Sequence, residues 1–316
     1  MKKVACLFPG QGSQAVGMGK DFYETFPIAR HTFEEADDLL SFRLSRILFE
    51  GPEDLLTQTR YSQLALFIHS AALLKTLKEH LPHFVPSVCA GLSLGEYTAL
   101  YASNRIELAA ALALVQKRAD FMNQCCEETV GTMAAVLGLE EQPLKEALKD
   151  IQGVWVANYN CPSQIVISGT KEGVEEASKA LKAAGAKRIL PLTVHGAFHS
   201  GLMQSAQEKL APFLKEAALT DSSIEFVMNV PGDFVTSLTD VRQNLIDQVT
   251  RSVRWEQGIL AIEKRNAAHL YLEIGSGKTL TGMNRKIGVS APSLSLEKVS
   301  DLDGVIKQIE GMTCSC

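Results

Sequence analysis

The chain has 316 residues, of which 46% are hydrophobic and 21% charged, with a net charge of −5. This is the composition of a soluble globular protein with a sizeable core, large enough for one big domain or two modest ones. The acidic balance argues against general nucleic-acid binding, which needs a basic face, and no apolar run approaches the length of a membrane span.

The first element is residues 4–8, a short apolar run stopped by Pro9-Gly10, which reads as a buried strand. Preceded by Lys2 and Lys3, it imitates a signal peptide but is too short for one, so a cytoplasmic location is expected. Residues 21–49 are amphipathic and helix-rich. Residues 62–80 carry Leu64, Phe67, Ile68, Ala71 and Ala72 at helical spacing, and residues 107–126 form another long helix. Between these helices lies the apolar run 85–90, a strand ahead of a glycine-flanked serine. Strands separated by helices predict a parallel sheet covered on both faces.

The middle of the chain changes character. Strands are expected at 132–139, 154–159, 164–168 and 188–194, with helices at 142–148 and 173–184. The order β-α-β-β-α-β is the split βαβ or ferredoxin-like pattern, complete in about 65 residues. An inserted ferredoxin-like subdomain, 130–197, is therefore expected within a larger α/β domain made of 1–129 and 198–316. Beyond it come a helix from Leu202, with Ser200 as N-cap, and strands at 225–229 and 269–274.

Seven cysteines (Cys6, Cys89, Cys125, Cys126, Cys161, Cys314 and Cys316) are odd in number and scattered. They fit reduced thiols rather than a disulfide framework. No His or Cys cluster accompanies Cys314 and Cys316, so no metal site is expected there.

Gly91-Leu92-Ser93-Leu94-Gly95 reads Gly-x-Ser-x-Gly between the strand and a helical run. A serine on such a turn is pushed out at the mouth of the helix, and the next N–H, that of Leu94, points where an oxyanion would form. A serine hydroxyl needs a base. Of the seven histidines, His31, His69, His80, His83 and His269 fall on helices, helix ends or a strand edge. His195 and His199 lie in a loop that leaves a strand and enters a helix, where active sites of open α/β sheets sit. His199 is the better candidate and His195 its local competitor. Arg118 has Leu114, Val115, Phe121 and Met122 as helical neighbours, all apolar. Its guanidinium either snorkels to solvent or holds an anion.

Two glycine motifs imitate phosphate loops. Gly10-Gln11-Gly12-Ser13-Gln14-Ala15 fits a dinucleotide fingerprint, but no second strand with a terminal acid follows. Gly275-Ser276-Gly277-Lys278-Thr279 resembles the end of a P-loop, but the first glycine of that motif would fall on Leu272.

Taken together, these residues resemble the malonyl-CoA:acyl carrier protein transacylases of fatty-acid synthesis over nearly the whole chain. The resemblance rests on Phe8-Pro9-Gly10-Gln11-Gly12-Ser13-Gln14, on Gly91-Leu92-Ser93-Leu94-Gly95-Glu96-Tyr97 and on Gly131-Thr132-Met133-Ala134-Ala135-Val136. It continues in Ala157-Asn158-Tyr159-Asn160, Gly196-Ala197-Phe198-His199-Ser200, Val253-Arg254-Trp255, and Glu273-Ile274-Gly275 with Leu280-Thr281-Gly282.

The resemblance implies an α/β-hydrolase-like domain carrying the insert, and a malonyl-serine intermediate in ping-pong transfer from CoA to a phosphopantetheine thiol. It implies Ser93 as nucleophile, His199 as base, the Gln11 and Leu94 N–H groups as oxyanion donors, and Arg118 as holder of the malonyl carboxylate. Gln248 would orient the histidine through its carbonyl, and Phe198, Gln63 and Met122 would line the acyl pocket. No cofactor or metal is implied. The partner implied is an acidic acyl carrier protein bound transiently to a monomer. Because this chain is also net acidic, docking needs a local basic patch; Lys182, Lys187 and Arg188 are one candidate and Arg285 and Lys286 another, each equally readable as a solvated face. Leu92 departs from the family, which usually has histidine before the nucleophile; altered packing or polarity beneath the serine is expected. The competing readings are a serine thioesterase or other hydrolase on the same turn, and a nucleotide-binding protein built on the glycine motifs.

Overall fold

The structure is a computed structural model that describes residues 3–194 and 196–313; His195, Cys314 and Cys316 lie outside the described residues. In chain order the strands are β1 (Val4–Phe8), β2 (Val88–Gly91), β3 (Thr132–Leu137), β4 (Val154–Cys161), β5 (Gln164–Gly169), β6 (Arg188–Pro191), β7 (Glu225–Met228), β8 (Asp233–Phe234), β9 (Val253–Arg254), β10 (Leu270–Ile274) and β11 (Ser293–Leu296). They form two sheets.

The larger sheet has the order β11-β10-β1-β2-β7-β8, all parallel except for the antiparallel edge strand β8. Every residue of β1, β2 and β10 is buried, as expected of parallel strands covered on both faces. The pleat divides them. Val4, Cys6 and Phe8 join the apolar cluster on one side with Phe67, Ala71 and Leu112. Ala5 and Leu7 join the cluster on the other side with Ile259, Ile262 and Leu280. The long helices Thr59–His80 and Leu108–Glu128 pack against each other on the first side.

The smaller sheet has the order β6-β3-β5-β4-β9. Neighbours among its first four strands are antiparallel, and the helices Glu141–Leu148 and Lys171–Ala183 bury Leu144, Val174, Ala177 and Leu181 against one face. The fifth strand was not expected. β9 lies far beyond residue 197 and pairs parallel to β4, Asn158 opposite Val253 and Tyr159 opposite Arg254. The small sheet is thereby stitched to the segment that follows Gln248. A two-residue strand leaves no period to read in a sequence, and its pairing is non-local.

Of the other boundaries that differ, two lie beside the candidate base. The strand expected to reach 194 ends at Pro191, with one further bond from the Leu192 N–H to the Met133 carbonyl at 3.0 Å. The helix expected from Leu202 begins as a 3₁₀ turn, Gly201–Met203, before Gln204–Glu216; the Ser200 hydroxyl accepts the Leu202 N–H at 3.2 Å, as a cap should.

Candidate active site

The parallel strands all run the same way, so their carboxyl ends share one edge. Gln11 follows β1, Ser93 follows β2 and Asn229 follows β7. This is the crevice where open α/β sheets bind ligands. The small sheet supplies the facing wall through Met133, Asn158, Asn160 and Val166, and the cavity between them measures about 340 Å³.

At Ser93 the chain turns from strand into the helix Gly95–Ala102 with φ at 51°, in the left-handed region that a non-glycine residue adopts at a cost. The turn closes because its flanking residues lack side chains. A Cβ on Gly91 would sit 1.9 Å from the Gly95 carbonyl oxygen, and one on Gly95 would sit 2.1 Å from that of Phe8. No rotamer relieves such contacts with backbone.

The Ser93 hydroxyl stands 2.8 Å from His199 Nε2, and His199 Nδ1 is 2.7 Å from the Gln248 carbonyl. A carbonyl only accepts, so Nδ1 carries the proton and Nε2 offers its lone pair to the serine. His199 also has a positive φ, 57°, held by the Ser200 hydroxyl donating to the Ala197 carbonyl at 2.6 Å. Burial, helped by the charge of Arg118, holds the His199 pKa down to about 4. The imidazole is therefore neutral near pH 7 and able to take a proton.

Arg118 does not snorkel to solvent, and among the described residues it pairs with no carboxylate. Its side chain is fully buried. Nη1 donates to Gln63 Oε1 at 2.6 Å, and Nη2 donates to Ser93 Oγ at 3.1 Å and to Gln248 Oε1 at 2.9 Å. The guanidinium lies over the Tyr97 ring, 5.5 Å from its centroid. These hydrogen-bonded partners are all uncharged, and Nε has none among the described residues. A buried cation held only by neutral groups is incompletely compensated.

The remaining expected residues converge on the same place. Phe198 and Met122 line the cavity, and Gln63 stands behind Arg118, its Nε2 3.7 Å from Met122 Sδ. Gln11 lines the cavity, and neither its N–H nor that of Leu94 meets a protein acceptor among the described residues. Leu92 lines the cavity too, half-buried against the cluster that holds Leu7, Ala90 and Leu280. The patch residues Lys182, Lys187, Arg188, Arg285 and Lys286 are all exposed.

Sequence reasoning gave no role to two residues of the site, Asn229 and Glu96, the latter quoted only as part of the serine motif. Asn229 Oδ1 accepts the Ser93 N–H at 2.7 Å, and its Nδ2 donates to the Gly91 carbonyl at 2.7 Å. Glu96 lies beneath the turn, bonded to Asn229 and Gln248. Glu96 could have been found as the one charged residue of the helix Gly95–Ala102; nothing local marks Asn229.

Neither glycine motif forms a phosphate cradle. After Gly10–Ala15 the next helix starts only at Lys20, and the Gly12 N–H is taken by Gln14 Oε1 at 2.7 Å. The helix Thr279–Ile287 has its first N–H groups occupied by Glu273, whose carboxylate accepts from Leu280 at 3.0 Å and Thr281 at 2.8 Å. A phosphate there would meet a negative charge. Among the described residues no group of three or more His, Cys, Asp or Glu could hold a metal ion, and no helix is long and apolar enough to cross a membrane.

The architecture and this cluster place the protein among the mixed α/β proteins with an imidazole-bonded serine at a strand-to-helix turn. The acyl transferase domain profile matches residues 6–286, and the chain belongs to that family. It is 40% identical over 314 residues to the malonyl CoA-acyl carrier protein transacylase of Bacillus subtilis (strain 168), covering 98% of each chain. To the enzyme of the same name from Escherichia coli (strain K12) it is 36% identical over 310 residues, 97% of this chain and 100% of that one. Among solved structures, a malonyl-transacylase in complex with its type II PKS acyl-carrier protein superposes with a TM-score of 0.92 at 35% identity, covering 98% of this chain and 100% of that one. The MCAT of Streptococcus pneumoniae gives 0.91 at 37% identity, covering 97% and 100%.

Proposed function

We propose that this protein is an acyl carrier protein S-malonyltransferase of fatty-acid synthesis, with Ser93 as nucleophile and His199 as its base. The observation that carries the reading is the buried Arg118 guanidinium beside the Ser93 hydroxyl, bonded there to neutral groups only. An acyl group that ends in a carboxylate supplies the missing anion.

Malonyl-CoA enters with its carboxylate against Arg118. His199 Nε2 takes the Ser93 proton as the oxygen attacks the thioester carbonyl, and the Gln11 and Leu94 N–H groups hold the oxyanion. One such donor is typically worth about 10²–10³ in rate. The C–S bond breaks, the CoA sulfur takes the proton from His199, and malonyl remains as an ester on Ser93. The phosphopantetheine thiol of the carrier protein then attacks the ester while His199 accepts its proton and returns it to the Ser93 oxygen. Thioester is exchanged for thioester, so no redox cofactor or metal enters the balance.

The carboxylate acts a second time. Arg118 is one of the causes that hold the His199 pKa low. An anion on Arg118 cancels part of that field and makes His199 a stronger base when the correct acyl group is bound. Phe198, on the cavity wall, crowds an α-methyl substituent.

The finer architecture follows the same reading: an α/β-hydrolase-like domain of residues 1–129 and 198–316, with a ferredoxin-like insert over 130–197. The order β6-β3-β5-β4 supports the insert. The working unit is a monomer in the cytoplasm that meets an acidic carrier protein transiently, through Lys182, Lys187 and Arg188 or through Arg285 and Lys286.

Brief incubation with labelled malonyl-CoA followed by intact-mass measurement tests the reading. A malonyl adduct that persists in the parent, is absent from Ser93→Ala and is discharged by a carrier thiol is expected. Rapid release of free malonate without an acceptor would instead make the protein a hydrolase.

A further inference from the structure

Glu96 is completely buried one residue into the helix Gly95–Ala102 and is not among the residues that line the cavity. Each of its oxygens is committed to one donor. Oε1 accepts the Asn229 N–H at 2.5 Å, and Oε2 accepts from Gln248 Nε2 at 2.7 Å. Each donor belongs to a residue that reaches the reacting groups through another atom. Asn229 Oδ1 holds the Ser93 N–H. Gln248 Nε2 also donates to the Ser93 carbonyl at 2.8 Å, its Oε1 accepts from Arg118, and its own carbonyl accepts from His199 Nδ1.

We propose that Glu96 is a positioning residue: its carboxylate fixes Gln248 and Asn229 and through them sets His199, the Ser93 turn and Arg118, while serving as a counter-charge to Arg118 that never touches it.

The two ends of a glutamine amide have nearly the same shape, so shape alone does not orient Gln248. A carboxylate only accepts and a guanidinium only donates. Between Glu96 and Arg118 the amide has one favourable orientation, with NH₂ towards Glu96 and oxygen towards Arg118. The reversed amide would set oxygen against carboxylate and NH₂ against guanidinium. With both ends of its side chain anchored, Gln248 has little freedom to move the carbonyl on which His199 turns.

The interposed amide has a second consequence. A direct Glu96–Arg118 ion pair would occupy the guanidinium donors with a carboxylate of the protein's own. With Gln248 between them, Glu96 compensates the buried cation at a distance and leaves the face towards the cavity for a substrate. Burial pushes the Glu96 pKa up to about 8 against the opposing pull of the Asn229 N–H, the Arg118 charge and the Gln248 amide, and it is the hydrogen-bond geometry, with both oxygens accepting, that favours the carboxylate form. Both oxygens face donors, so a proton on either would displace one of them. Asn229 and Gln248 come from segments 133 and 152 residues away along the chain, so Glu96 also ties the end of β7 and the approach to β9 to the nucleophile turn.

The inference rests on the roles given above to Ser93 and His199. Its test is the rate of Ser93 acylation by malonyl-CoA, by rapid quench and intact mass, in the full chain as parent, Glu96→Gln, Gln248→Ala and the double variant, with Ser93→Ala as control. Glu96→Gln keeps the size but turns an NH₂ against one of the two donors. It should lower the acylation rate constant by about tenfold to a hundredfold, with KM for malonyl-CoA within about threefold of the parent. Glu96→Asp, which keeps the charge, should recover part of the loss, and it carries the same cycle if Glu96→Gln does not fold. The double variant should lose at least about fivefold less than the product of the two single losses, because part of the effect of Glu96 passes through Gln248. Parent-like acylation by Glu96→Gln, or single losses that simply multiply, would overturn the inference. An adduct on Ser93→Ala would instead overturn the site assignment itself, whereas a clean Ser93→Ala beside an unimpaired Glu96→Gln would sink only the role of Glu96.

Discussion

Replacing Arg118 by alanine should change which acyl group the protein accepts more than how fast it works. The substitution removes the three hydrogen bonds to Gln63, Ser93 and Gln248 and leaves a cavity, so a general loss common to all substrates is expected. The specific loss falls only on an acyl group with a terminal carboxylate. Two charge-assisted hydrogen bonds at about 1.5–3 kcal/mol each set an upper bound of about 6 kcal/mol. Desolvating the substrate carboxylate takes back part of this, leaving about 3–4 kcal/mol. At about 1.4 kcal/mol per decade, the ratio of kcat/KM for malonyl-CoA to that for acetyl-CoA should fall by two to three decades. Acetyl transfer itself should stay within about a decade of the parent, because loss of the guanidinium also relieves the field that weakens His199. The assay is kcat/KM for both thioesters with the same carrier thiol, normalised to folded protein; the ratio cancels the common loss. An equal fall for both substrates would mean that Arg118 is a structural cation and would remove the basis for malonyl recognition.

Gly95→Ala should fail to give folded, active protein, since its Cβ would lie 2.1 Å from the Phe8 carbonyl oxygen; a parent-like melting curve would show that the turn has slack. Phe198→Ala should raise the ratio of methylmalonyl to malonyl transfer, measured in direct competition, while an unchanged ratio would place the acyl selectivity elsewhere. Stability should fall on acidification. His69 and His199 are both buried, with pKa values lowered from 6.5 to about 4 by burial. Between pH 6.5 and 4 the unfolded chain binds protons at these two sites that the folded chain does not. The stabilisation is thus present above pH 6.5 and lost as pH falls towards 4, at roughly 3 kcal/mol per group. Chemical denaturation across that range should show it, and His69→Gln should flatten the profile; a midpoint independent of pH from 6.5 to 4 would contradict the buried, neutral state of both rings.

Much of the fold was legible because its elements are long or periodic. The run 4–8, the helical spacing in 62–80 and 107–126 and the four strands and two helices of 132–194 each carry their own pattern. Three of the four edge strands escaped for physical reasons. β8 and β9 are two residues long, and β11 reads Ser-Leu-Ser-Leu with no continuous apolar run. Ser93 was legible because its turn demands glycines at fixed spacing. His199 was legible as the better of two loop candidates for the base; the Gln248 carbonyl that orients it, 49 residues on, was implied only by the resemblance, and no local pattern marks it. Arg118 showed as an anomaly among apolar neighbours, while its uncharged company could not be read from the chain.

Local chemistry is written in the sequence, because turn strain, periodicity and the want of a Cβ act between neighbours. The serine on its glycine turn, the alternation of strand and helix, and the arginine on an apolar face were settled there. What tertiary structure alone decided is the company each group keeps. The Asn229 side chain on the Ser93 N–H, the Gln248 amide between Glu96 and Arg118, and the β9 strand that fastens the two sheets all join segments far apart in the chain. Those contacts arise only when burial forces distant polar groups to satisfy one another, and one-dimensional order holds no record of which pairs will meet.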